Sequence, residues 1–212
     1  MKIIGPQKSL LNNLEKLENL LDETKNTDLI ENKLIENFEN EQIELYDINF
    51  ENVIFSNINI LNSKLEKCNF ANVKFENCNF SNTSFEYSSF VRCQFNNCKI
   101  TGSSFIEARL YNVIIEDSNA NYINLAMASL ENILFSNTVL RSSSFQENKL
   151  KNIYFEKADL TQAQFFKTSL KNIDLSDSII EGIAVSLEDI KGATINQFQA
   201  IDLLYLIGVK IK

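Results

Sequence analysis

From Leu45 to Ile195 every fifth residue of the chain is apolar, thirty-one positions in thirty-one. Hydrophobic residues make up 44% of the composition, so chance would give that run with a probability of about 10⁻¹¹. Thirteen of the sixteen Phe fall on it, among them Phe50, Phe55, Phe70, Phe75 and Phe80. Two residues before each centre lies a second set that is mostly small or β-branched, such as Val53, Ser63, Cys68, Val73, Cys78 and Thr83. The other three positions of each five are largely polar. A period of five matches neither the 3.6 of a helix nor the 2 of a strand. It predicts a backbone that turns a corner every five residues. With five Gly and one Pro in the chain, other residues must make those corners. A longer period overlies the first. ENVIF (51–55) returns twenty residues on as ANVKF (71–75), then as YNVII, ENILF, KNIYF and KNIDL, while VRCQF (91–95) breaks the Asn.

Units such as EKADL (156–160) and ENCNF (76–80) resemble the pentapeptide repeat family: a small residue, a polar one, a central Leu or Phe, then two polar residues. The resemblance covers about 150 of the 212 residues. It implies an all-β solenoid, a right-handed quadrilateral β-helix in which four pentapeptides make one square coil. Thirty-one centres then make about eight coils, a tower about 37 Å tall at the ~4.8 Å spacing of stacked strands. The twenty-residue period is one coil, so residues twenty apart stack on one face. Asn52, Asn72, Asn112, Asn132, Asn152 and Asn172 form a corner column whose amides are placed to hydrogen-bond between layers. Asn57, Asn77, Asn97, Asp117 and Asn137 form a second. The coil around Ala120 holds a small centre. Residues 111–125, with 31–40, are therefore expected to be the least regular, with Ile114 or Tyr122 compensating.

The pattern changes at both ends. Leu10, Leu11, Leu14, Leu17, Leu20 and Leu21 sit at helical spacing over residues 8–22, with Ser9 as N-cap. A shorter helix over 28–38 presents Leu29, Ile30, Leu34, Ile35 and Phe38. Together they predict a helical cap over 1–40, covering the exposed edge that every solenoid has at its ends. The β-helix proper spans 41–195 and falters where Glu188 enters an inward slot. Residues 196–212 predict a capping helix from about 197 to 207, stopped by Gly208, and a short extended tail.

Composition narrows the function classes. A net charge of −8 argues against direct nucleic-acid binding, which needs a basic patch, and against an anionic membrane surface. No apolar run reaches the length of a spanning helix, and Asn, Glu and Lys interrupt the first twenty residues too often for a signal peptide. The expectation is a cytoplasmic protein. The chain has no His, which removes the commonest general base and metal ligand. The four Cys all occupy the inward slot at spacings of 10, 15 and 5, which reads as small buried hydrophobes with free thiols. Carboxylates abound but point outward from flat faces with no loops to build a pocket, and no glycine loop cradles phosphate. No metal, cofactor or catalysis is expected.

Binding is the remaining class. The ending GATINQFQAIDLLYLIGVKI (192–211) resembles that of Qnr-type quinolone-resistance proteins, with Gln199, Ala200, Leu203, Leu204, Leu206, Gly208 and Val209 matching. The resemblance implies a homodimer paired tail to tail by the closing helix, a rod that imitates duplex DNA and binds DNA gyrase or topoisomerase. Phe198, Ile201, Leu204, Tyr205 and Ile207 are the candidate dimer interface, because they cover more than the one side a cap requires. Two features depart from the Qnr pattern: the register has no room for loop insertions, and the N-terminal extension is additional. Charge departs as well. Residues 41–190 carry nineteen acidic and twelve basic side chains, net −7, whereas 37 Å of duplex carries about 22 charges. Arg109, Lys149, Lys151, Lys171 and Lys191 gather on one face. A second candidate surface is the outward column Ile114, Leu134 and Tyr154, three apolar residues on consecutive coils. It would vanish if the N-terminal extension folded back over it. The alternative to DNA mimicry is a structural scaffold that binds its partner through such a surface.

Overall fold

The computed structural model describes residues 3–209. Short parallel strands follow one another at five-residue steps: β1 (Glu15–Lys16), then, after helix α1 (Leu20–Asn26), β2 (Leu29–Glu31), β3 (Lys33–Glu36), β4 (Glu39–Glu41), β5 (Glu44–Tyr46), β6 (Asn49–Glu51), β7 (Ile54–Ser56), β8 (Asn59–Leu61), β9 (Lys64–Glu66), β10 (Asn69–Ala71) and β11 (Lys74–Glu76). Four longer strands cross two faces each: β12 (Ser89–Asn96), β13 (Arg109–Glu116), β14 (Ser129–Ser136) and β15 (Lys149–Glu156). The register between stacked strands from β2 onward is twenty residues, as in Phe55↔Phe75, Phe75↔Phe95 and Ile115↔Phe135, and β1 pairs with β3 at an offset of eighteen, as in Glu15↔Lys33. Isolated bridges with the same offset, such as Asn119↔Val139 and Ser104↔Asn124, carry the other two faces. The result is a β-solenoid of about seven turns.

The corners have a single chemical solution. From Leu45 to Leu170 the residue two after each centre takes a left-handed conformation, with φ of 53° at Asn52, 58° at Asn72 and 56° at Asn112. Among residues with a side chain, Asn adopts this region most readily, which is why it does here what Gly does elsewhere. Both Asn columns form ladders. Asn72 Nδ2 donates to Asn52 Oδ1 at 2.9 Å and Asn132 Nδ2 to Asn112 Oδ1 at 3.1 Å. In the second column Asn97 Nδ2 donates to Asn77 Oδ1 at 2.7 Å and Asn137 Nδ2 to Asp117 Oδ1 at 3.1 Å.

The inward slots explain their own composition. Centres are buried, and Phe rings stack along a face, with centroids 4.3 Å apart for Phe75 and Phe95. Rings on adjoining faces meet edge to face, as Phe75 and Phe80 do at 87°, because the faces of a square coil are perpendicular. The small slot is polar for a reason: its hydroxyl reaches a carbonyl in the coil below. Ser103 Oγ donates to the Phe80 carbonyl at 2.7 Å and Thr138 Oγ1 to that of Ile115 at 2.9 Å. Each such bond pairs the buried hydroxyl itself and ties one coil to the next.

Several expectations need correction. Residues 28–38 are not a helix: they form β2 and β3, and Ile30 and Ile35 fill inward slots of the lowest coil. The solenoid therefore begins before residue 41, and 31–40 is regular. Residues 8–22 are not one helix either. A 3-10 turn (Lys8–Leu11) leads into β1 and then α1, so Ser9 lies within the turn and the capping residue is Asn19. Coil 111–125 is also regular, with Ala120 fully buried and β13 paired on both sides. Ile114 and Tyr122 point outward, and Ile123 brings inward volume at the adjoining corner. The faltering at Glu188 does occur: it is exposed, and the corner at Leu187 is not left-handed. The tail expected after Gly208 lies largely outside the described residues.

Candidate interaction surfaces

The top of the tower is closed by a few polar side chains and a short helix, Asn196 Nδ2 donating to the Ser176 carbonyl at 2.8 Å and the Tyr205 hydroxyl to that of Ile183. Helix α2 (Gln199–Leu203) continues as a 3-10 turn (Leu204–Ile207) and stops at Gly208, whose φ is 74°. Gln199 is buried. Its Nε2 donates to the carbonyls of Leu175 at 2.8 Å and Ser178 at 2.6 Å, occupying acceptors that a further coil would have used. Leu203 and Leu206 pack on the core beside it. The opposite side of the segment is bare. Phe198, Ile201, Tyr205 and Ile207 are 72%, 56%, 49% and 62% exposed, and Val209 extends the patch. Of the five residues expected to form an interface, Leu204 departs: it is half-buried.

The column Ile114, Leu134 and Tyr154 is assembled as the spacing requires, in direct register across β13, β14 and β15. All three are half-buried. The N-terminal segment does fold back over this face. Gly5 lies so close to Ile114 that a Cβ there would stand 3.1 Å from its Cδ1. Lower down, Pro6, Lys8, Leu11 and Asn12 line a cavity of about 300 Å³ with Ile54, Lys74 and Gln94. This strap carries no periodicity and was not foreseeable from hydrophobic pattern.

Charge is uneven. Residues 28–51 hold eight carboxylates and one Lys, whereas Lys149, Lys151, Lys171 and Lys191 are exposed on one face above. Lys151 bonds Glu131 at 2.7 Å, and that hydrogen bond raises the Lys151 pKa. The four thiols are buried and unpaired. Burial pushes Cys68 up to about 11 and Cys93 to about 12, while the hydrogen bond between Cys78 and Cys98 raises Cys78 and lowers Cys98. Cys68, Cys78 and Cys93, held protonated, are poor nucleophiles and poor metal ligands. Among the described residues no group of Cys, Asp or Glu is arranged to hold a metal, and no helix is long and apolar enough to cross a membrane.

Comparison with known proteins accords with this geometry. The pentapeptide repeat region family matches residues 88–165, and pentapeptide repeats in eight copies match 43–82 and 149–182. The chain belongs to the pentapeptide repeat family. Among solved pentapeptide repeat structures it is similar to HetL, involved in heterocyst differentiation regulation in the cyanobacterium Nostoc. Identity is 13%, coverage is 85% of this chain and 94% of that one, and the TM-score is 0.51. It is also similar to full-length QnrB1, a plasmid-mediated fluoroquinolone resistance protein, at 17% identity, 92% and 95% coverage and a TM-score of 0.46. No curated protein matches the chain by sequence. At these identities the likeness is one of fold.

Proposed function

We propose that this pentapeptide repeat protein is a non-catalytic scaffold that pairs tail to tail with a second copy and offers its long faces to a protein partner. The observation that carries the reading is the two-sidedness of the C-terminal segment. Gln199, Leu203 and Leu206 serve the cap, Tyr205 straddles both sides by donating its hydroxyl to the Ile183 carbonyl, and Phe198, Ile201 and Ile207 stand exposed on the far side. An exposed apolar patch of that kind favours association, and at the end of a rod a two-fold contact uses the same patch from both copies. Four buried thiols without a disulfide suit a reducing compartment, the cytoplasm. Sedimentation velocity tests the pairing: wild type runs as a dimer and Ile201→Glu as a monomer. A wild-type monomer at high micromolar concentration rejects it.

DNA gyrase or topoisomerase is the named candidate for the partner, on the resemblance of the ending at 192–211. A net charge of −7 over residues 41–190 is far below that of duplex DNA, so shape would have to contribute more than charge. A gyrase supercoiling assay, with and without a fluoroquinolone, decides: neither inhibition nor protection rejects gyrase and leaves the dimer standing. The basic face of Lys149, Lys151, Lys171 and Lys191 favours the alternative, a scaffold unrelated to DNA mimicry.

A further inference from the structure

The Asn ladder breaks at Arg92, and the N-terminal strap docks at the break. In the coils below, each corner amide hands its oxygen to the next one up: Asn52 Nδ2 donates to Asn32 Oδ1 at 3.1 Å, and Asn72 Nδ2 to Asn52 Oδ1 at 2.9 Å. The next donor would be residue 92. That residue is Arg, held left-handed at φ 53°, and its Nε is buried without a hydrogen-bond partner. The oxygen of the buried Asn72 instead accepts the backbone N–H of Gln7. The strap thus supplies from outside the bond that the ladder lacks. Its other contacts lie along the outward column of the Phe-rich face: Pro6, Lys8, Leu11 and Asn12 line one cavity with Ile54, Lys74 and Gln94, and Gly5 lies on Ile114. None of residues 3–12 is buried, so the strap is a light occupant.

We propose that this column, from Ile54 to Ile114, is a docking groove for an extended apolar and cationic peptide of a protein partner, occupied in the free protein by residues 5–12. The chemistry of the guest is read from the resident. It carries a small residue where Gly5 crowds Ile114, a free N–H for Asn72, a Lys, and an apolar residue for the cavity lined by Ile54. Two residues past the column, Glu36 and Glu76 pair with Lys16 at 3.3 Å and Lys74 at 2.5 Å, whereas Glu116 has no cationic partner among the described residues, which favours a basic guest at that coil. Glu116 is itself oriented by Asn96 Nδ2 at 2.8 Å. Arg92 creates the groove by leaving Asn72 open.

The test uses the full chain and a labelled peptide of residues 3–13, IIGPQKSLLNN. A tethered strap competes at an effective concentration on the order of mM, so wild type should bind the peptide poorly. Gln7→Pro removes the strap's N–H. By fluorescence anisotropy it should bind the peptide at least about tenfold tighter than wild type, and trypsin should cleave it faster after Lys8. Adding Arg92→Asn completes the ladder with a residue suited to that corner and should abolish the gained binding without unfolding the protein. Equal peptide affinity of wild type and Gln7→Pro, or binding untouched by Arg92→Asn, overturns the proposal.

Discussion

The two ends of the tower solve the same problem differently. At the base, backbone seals backbone: β1 lies along β3, with Glu15 N–H to the Asn32 carbonyl at 3.1 Å and Leu17 N–H to that of Leu34 at 2.9 Å. Helix α1 then presses Leu20 fully into the core, flanked by Leu17 and Leu21. At the top, side chains seal carbonyls, Gln199 two of them, Asn196 that of Ser176 and Tyr205 that of Ile183, and the apolar residues of the closing segment are divided between core and solvent. An edge closed by pairing and burial is finished. An edge closed by a side chain beneath a bare apolar face is finished only when something covers that face.

Mutations at the two ends should separate these solutions. Leu20→Ala removes a fully buried side chain from the base and is expected to cost about 2–5 kcal/mol in urea unfolding. Gln199→Ala leaves the Ser178 carbonyl without its donor and the Leu175 carbonyl with only the Ser178 N–H, and is expected to cost about 1–3 kcal/mol. Its signature is local: amide exchange should speed up over residues 175–195 and stay unchanged at the base. A Gln199→Ala loss exceeding that of Leu20→Ala would reverse the comparison. Asn19→Ala removes the cap whose Oδ1 accepts from Leu21 and Asp22 N–H at 3.0 and 3.2 Å, and should cost about 1 kcal/mol. Ile201→Glu, on the bare side of the top, should change monomer stability by no more than about 0.5 kcal/mol while abolishing association.

What was legible in the sequence follows from phase. The five-residue period gave the coil, the twenty-residue period gave the stack, and Asn at the corners gave the ladders, because each depends on a residue type repeated at one position. The lowest coil was hidden for a local reason. Ile30 and Ile35 keep the phase of Leu45, but Asn40 occupies the inward slot between them and interrupts the series. The leucines of 8–22 have helical spacing, yet the open edge of β3 offers carbonyls that an extended segment satisfies and a helix does not. At the top, the exposed apolar residues were readable from helical spacing except Leu204, which the switch to a 3-10 turn rotates toward the cap. The strap left one trace in the sequence, the missing Asn at position 92, and nothing in the sequence alone says that a backbone N–H from residue 7 fills the gap.

The central claim is that the bare face at the top joins two towers end to end, and small-angle X-ray scattering of the full chain addresses it most directly. The account predicts a doubled mass with a maximum dimension close to twice that of Ile201→Glu. A doubled mass with the length of a single tower, or wild type and Ile201→Glu of equal mass, would contradict it.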